Sequence, residues 1–191
     1  MKKFVLYSLV LVLAACGSSD EKAKEAPQPQ GPLTKSVNSA AFNQSFELLL
    51  THYYDLKEDF IYENDNISLS ATNLGISADS LKLGELKADS MIVSTARTYA
   101  LGISSETKGL IGEKTLEGKR KSFQIISDQL YDLIRTVRYD QSVIYHNYCP
   151  MAFNDQGANW LSNTPSIRNP YIPKKMITCG EVKDSIDFRQ K

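Results

Sequence analysis

The chain has 191 residues, of which 22 are basic and 22 are acidic, so its formal net charge at pH 7 is zero. This balance provides no basic face for nucleic acid, and we predict no nucleic-acid partner. Without its apolar N-terminus and the polar stretch that follows, roughly 150 residues remain, which is a normal length for one domain.

The N-terminus predicts a lipoprotein signal peptide over residues 1–15. Two lysines precede an apolar run from Phe4 to Ala15, which is shorter than the roughly 20 residues that span a bilayer. The run ends in Leu-Ala-Ala followed by Cys16, which resembles the bacterial lipobox. The resemblance implies that Cys16 is lipidated and anchors the protein to the membrane. The alternative is an ordinary secretory peptide with a chance cysteine.

The residues after Cys16 predict where the protein is held. Gly17 and Ser18 follow Cys16 directly, and neither is an aspartate, the residue that would disfavour the outer membrane at this position. By the same resemblance they imply the outer membrane if the cell is Gram-negative, with the protein facing the periplasm. Residues 17–32 lack large apolar side chains and cannot bury enough surface to offset the entropy of ordering. We therefore predict a disordered tether over residues 16–37.

Residues 38–140 predict four helices. Their apolar residues recur at steps of three and four, which places them on one face of a helix. The stripes run from Phe42 to Phe60, Ile67 to Leu81, Ile92 to Leu110 and Leu116 to Val137. Asn66 or Ser68, Asp89 or Ser90, and Thr115 are expected to cap the second, third and fourth helices. Because the connections are short, we expect a mainly α fold, a four-helix up-down bundle.

The sequence lacks the motifs of common enzymes. It has no Gly-rich phosphate loop, no Gly-x-Ser-x-Gly elbow and no His-Glu-x-x-His zinc motif. It also lacks the Glu-x-x-His motifs of di-iron bundles. With two histidines in the chain, most hydrolytic chemistries have no base, and His52 is interpreted as a core or flanking residue. We predict that the protein is not an enzyme.

Residues 141–191 predict a loop-rich cap that contains short β-strands and belongs to the same domain. Ser142 to Tyr145 and residues 174–179 are interpreted as strands, and Asn154 to Gly157 as a turn. Three prolines between positions 165 and 173 exclude a long helix. Trp160 is expected to pack the cap against the helices.

Two segments of the cap carry soft metal ligands. Cys149 and Met151 are separated by one residue, and Met176 precedes Cys179 by three positions. Thiolates and thioethers favour Cu(I) and related soft ions such as Ag(I). We therefore predict a heavy-metal site formed by Cys149, Met151, Met176 and Cys179, with His146 added because it lies nearby in the sequence. A zinc site is disfavoured because two cysteines and one histidine leave the fourth ligand unnamed.

Two alternatives use the same cysteines differently. In an oxidising compartment, Cys149 and Cys179 can form a static disulfide in a structural or interaction lipoprotein that binds no metal. A thiol-redox enzyme is the weaker alternative, because cysteines so far apart lack the Cys-x-x-Cys arrangement that lowers a thiol pKa.

Four segments of the cap resemble a family signature. They are Tyr148-Cys149-Pro150-Met151-Ala152, Gly157 to Ser162, Ile167 to Tyr171, and Met176 to Val182. The signature is similar to that of a domain of unknown function in bacterial envelope lipoproteins, which is also attached to periplasmic adaptors of copper/silver efflux pumps. The resemblance covers roughly residues 40–188 and is specific only from Tyr148 to Val182.

This resemblance implies a helical bundle, heavy-metal handling, and an efflux adaptor or metallochaperone as partner. Cys149-Pro150-Met151 is also similar to the Cys-Pro-Met-His-Pro segments of such adaptors. Ala152 and Phe153 stand where those segments have His and Pro, so one ligand of that motif is missing here. Ile172 and Pro173 replace the aromatic residue and glycine expected before Met176.

Overall fold

The structure is a computed structural model that describes residues 37–189. The predicted signal peptide, the lipidated Cys16 and all of the predicted tether except Val37 lie outside these residues. Within residues 37–189, no helix is long and apolar enough to cross a membrane.

Four long helices make up most of the described chain, and the prediction of a mainly α protein is confirmed. They are α1 (Ala40–Tyr62), α2 (Ile67–Asp79), α3 (Ser90–Gly112) and α4 (Leu116–Val137). The predicted N-caps of α3 and α4 are confirmed. Asp89 accepts a hydrogen bond from the Ile92 N–H at 2.9 Å, and Thr115 accepts one from the Gly118 N–H at 3.0 Å. Asn66 precedes α2 without a side-chain capping bond.

The predicted apolar stripes form the hydrophobic core. Every residue of the α1 stripe is fully buried, including Phe42, Tyr53 and Phe60. The Phe123 ring of α4 stacks on Tyr53 with ring centroids 5.2 Å apart and lies 5.0 Å from Phe60. His52 lies between α1 and α2, where its Nδ1 is 2.6 Å from the Ser77 hydroxyl.

The C-terminal part contains a three-stranded antiparallel sheet. Its strands are β1 (Ile144–Cys149), β2 (Ala158–Ser162) and β3 (Glu181–Ile186), in the order β2-β1-β3. Two short segments lie between them, the left-handed turn α5 (Ala152–Asp155) and the helical turn α6 (Pro173–Met176). The predicted strand over residues 174–179 is wrong, because Pro173 starts a helical turn, a position for which its fixed φ is suited. The first predicted strand is found two residues further along the chain.

The free edge of β2 is covered by two tyrosine hydroxyls. The Tyr53 hydroxyl accepts a hydrogen bond from the Leu161 N–H at 2.9 Å and lies 2.7 Å from the Ser127 hydroxyl of α4. The Tyr171 hydroxyl donates to the Asn159 carbonyl. These bonds satisfy backbone groups that an open sheet edge would leave exposed, and they fix the sheet against the helices.

Replacing Tyr53 with phenylalanine tests this junction. Because Tyr53→Phe leaves the buried Leu161 N–H without its partner, we expect it to lower the free energy of unfolding by about 1–3 kcal/mol. Urea denaturation measures the change. The control is Tyr62→Phe on a ring that is 67% exposed, for which about 0.5 kcal/mol or less is expected. A Tyr53→Phe loss no larger than the control would contradict the role of this hydroxyl.

Candidate functional site

The fold brings the two predicted thiol ligands into contact. Cys149 is the last residue of β1 and is fully buried, whereas Cys179 follows α6 and is half-buried. Their sulfur atoms are 3.0 Å apart although 30 positions separate the residues. Both are free thiols, and the distance allows either hydrogen bonding or, after a small movement, a disulfide.

Asn169 holds the segment that carries Cys179. This fully buried residue donates from its Nδ2 to the Cys179 carbonyl at 2.8 Å, and its backbone N–H donates to the Ile177 carbonyl at 2.8 Å. Its side-chain oxygen accepts from the Tyr171 N–H at 2.7 Å. Sequence reasoning missed this residue, although an Asn before Pro170 is a turn signal that points to it.

The Cys179 thiol is protonated at neutral pH. The hydrogen bond with Cys149 raises the pKa of Cys179 to about 11, and burial acts in the same direction. The backbone N–H of Met151 lowers the pKa but does not cancel the shift. Because the thiolate is the nucleophile and the metal ligand, Cys179 reacts slowly and must lose its proton before it binds a metal.

The two predicted thioether ligands lie together in a cavity next to the thiol pair. Met151 is 46% exposed and Met176 is 40% exposed, and both line one cavity of about 580 Å³. Neither cysteine lines this cavity. Since the Met151 N–H contacts the Cys179 thiol, the thiol pair and the cavity share a wall.

Paired charges form another part of the cavity wall. Glu63 accepts from Arg120 at 3.0 Å and forms a second ion pair with Lys174. The Lys174 hydrogen bond, followed by that of Arg120, lowers the pKa of Glu63. Arg120 also donates to the Pro170 carbonyl at 2.8 Å and to the Phe60 carbonyl at 3.2 Å. This side of the cavity is therefore fixed by a carboxylate shared between two cations, which leaves one net positive charge.

The turn after Met151 adopts a left-handed conformation. Phe153, Asn154 and Asp155 have φ values of 53°, 57° and 66°, and Gly157 follows with φ 81°. A Cβ on Gly157 would lie 2.2 Å from the Tyr148 hydroxyl, so only glycine fits. Such conformations cost energy in L-residues and persist only where surrounding contacts impose them. This strained turn contributes Phe153, Asn154 and Asp155 to the cavity lining.

His146 is not brought to the sulfur atoms. Side chains alternate along a strand, so His146 projects from the face of β1 opposite to Cys149. Its ring stacks on Tyr131 of α4 at 4.2 Å and is 8% exposed. Burial, reinforced by Lys183, lowers the pKa of His146. Across residues 37–189, no group of three or more His, Cys, Asp or Glu side chains is arranged to hold a metal ion.

No protein-family model, curated protein or solved structure matches this chain. The family resemblance of the C-terminal segments therefore rests on their residues alone.

The raised pKa of Cys179 predicts slow alkylation that Cys149 controls. In reduced protein carrying Cys16→Ser, we expect Cys149→Ala to speed alkylation of Cys179 at pH 8 by about tenfold or more. The variant removes the hydrogen bond that raises the pKa, and each pKa unit changes the thiolate fraction tenfold. Iodoacetamide labelling followed by mass spectrometry measures the rate. The control is Thr178→Ala at an exposed neighbour, and an unchanged rate in Cys149→Ala would contradict the prediction.

Proposed function

We propose that the protein is a lipid-anchored periplasmic module, held in the outer membrane through Cys16, that binds or handles a soft heavy-metal ion. Cu(I) or Ag(I) is the proposed cargo, and an efflux adaptor or metallochaperone is the proposed partner. One observation carries the proposal: two distant segments meet so that two thiols touch beside a cavity lined by two exposed thioethers. A purely structural disulfide does not require Met151 or Met176.

The proposed scaffold is a four-helix up-down bundle. Each long helix packs on the next one in the chain, α1 on α2, α2 on α3 and α3 on α4. The connections between them are short, which favours antiparallel neighbours. In this proposal the helices present the thiol pair and the cavity on a rigid support.

Capture of an ion needs a rearrangement of the thiols. With metal–sulfur bonds of about 2.3 Å, sulfurs now 3.0 Å apart must separate to hold an ion between them. Both thiols must also lose their protons, so affinity for the ion rises with pH. Met151 and Met176 need no deprotonation, which makes the exposed thioethers suited to receive the ion first from a partner.

A second candidate is a structural or interaction lipoprotein with a Cys149–Cys179 disulfide and no metal. The direct contact between the thiols favours it, as does an oxidising compartment. In this candidate the cross-link fixes the C-terminal segment to β1, and the cavity is a surface feature.

Cu(I) titration tests the metal proposal. The chain carrying Cys16→Ser keeps Cys149 and Cys179 as its only thiols and is titrated after reduction against a colorimetric Cu(I) chelator. We expect Met151→Leu/Met176→Leu to weaken binding by about tenfold or more. The matched control is Met91→Leu in α3, a methionine that is 77% exposed and lies outside the cavity. Binding no stronger than that of Cys149→Ser/Cys179→Ser would remove the proposal.

Unfolding with and without reductant tests the second candidate. A cross-link closing a loop of about 30 residues is expected to contribute roughly 3–4 kcal/mol to the free energy of unfolding. Urea denaturation measures it, and Cys149→Ala/Cys179→Ala should be insensitive to reductant. Thiol titration of protein prepared without reductant then separates the candidates. No free thiol and no metal binding after reduction would leave only the structural role.

A further inference from the structure

The segment from residue 172 to residue 185, here called the strap, is weakly attached to the rest of the protein. Tyr171 and Ile186 at its ends are buried, but no side chain between them is. From Pro173 to residue 185, Cys179 is the only side chain that packs against the hydrophobic core. Its contact with Cys149 is therefore the main apolar anchor of this stretch.

The remaining attachments of the strap are polar. Lys174 pairs with Glu63, and Asn169 binds the carbonyls of Ile177 and Cys179. The end of the strap pairs with β1 through β3. Ion pairs of exposed side chains contribute little to stability, and segments with few buried contacts open at low free-energy cost.

The strap is also one wall of the cavity. Its first five residues, 172–176, all line the cavity, and Met176 is the last of them. Cys179 follows Met176 by three positions, and its partner Cys149 precedes Met151 by two. A disulfide between the cysteines would therefore hold Met176 beside Met151. Breaking that disulfide would release the cavity wall formed by residues 172–176.

The strap lies close to buried polar side chains of the sheet. Asn147 is fully buried, and neither amide atom has a hydrogen-bond partner among the described residues. The same holds for Nε1 of Trp160, its partner on β2. Gly180 of the strap covers this indole so closely that a Cβ would lie 2.8 Å from its Cη2. The close approach of the strap to this ring therefore depends on glycine at position 180.

We infer that reversible oxidation of Cys149 and Cys179 closes and opens the cavity by fixing or releasing the strap. This rests on the proposed function only in treating the cavity as the metal-handling site. Oxidation breaks both S–H bonds and forms one S–S bond. The two electrons and two protons pass to a disulfide compound, which becomes two thiols, and a dithiol reverses the step. In the reduced state a weak thiol hydrogen bond is all that joins the two side chains.

Hydrogen–deuterium exchange tests the inference without any metal. The full chain carrying Cys16→Ser is oxidised with a small-molecule disulfide or reduced with dithiothreitol, and exchange is followed by mass spectrometry. We expect amides of residues 172–180 to exchange about tenfold or more faster after reduction, with α3 unchanged. Trypsin should likewise cleave after Lys174 and Lys175 faster in reduced protein. Cys149→Ala/Cys179→Ala should behave as reduced protein under both conditions.

The outcomes separate this inference from the proposed function. Equal exchange and cleavage in the two redox states would overturn the strap inference, even if Cu(I) binding is intact. A redox difference that persists in Cys149→Ala/Cys179→Ala would also overturn it, because the cysteine pair would not be its cause. Faster exchange after reduction, without any Cu(I) binding, would support the strap and remove only the metal function.

Discussion

The buried guanidinium of Arg120 determines how the C-terminal segment meets the helices. It sits near the start of α4 and donates to carbonyls of Phe60 in α1 and Pro170 in the C-terminal segment. It also pairs with Glu63 at the end of α1. A buried charge deprived of its partners is strongly destabilising, so these acceptors must be brought together. Asn169, next to Pro170, then sets the path that delivers Cys179 to Cys149.

The position of the sheet explains why the predicted ligand set is divided. β1 is central, and its side chains enter two different layers of the protein. His146 enters the layer toward Tyr131 of α4, whereas Cys149 faces the returning segment that carries Cys179. Met151 lies beyond the end of β1, just before the left-handed turn, and its side chain reaches the cavity instead. The register of β1 and the turn that follows it therefore direct the thiols, the thioethers and the imidazole to three different places.

The helices could be predicted because their determinants are local, whereas the site depends on distant contacts. The apolar stripe of α1 and the caps Asp89 and Thr115 are visible within a few residues of sequence. β3 is not, because five of its six side chains are exposed and show no alternation. The meeting of Cys149 with Cys179 was foreseen from residue types, but the exclusion of His146 follows from strand register, which no local pattern specifies. Nothing local indicates the role of Arg120 either.

In the proposed function, metal binding and oxidation compete for the same two sulfur atoms, and this competition links that proposal to the strap. A disulfide has no thiolate to offer, so an ion held by Cys149 and Cys179 stabilises the reduced state by mass action. The coupling is reciprocal. The factor by which oxidation of the cysteines lowers affinity for the ion equals the factor by which the bound ion disfavours oxidation of the cysteines. Oxidation would leave the ion with Met151 and Met176 only, at the surface of the cavity. In this scheme an oxidant drives the ion from the two thiols to the thioethers of the cavity.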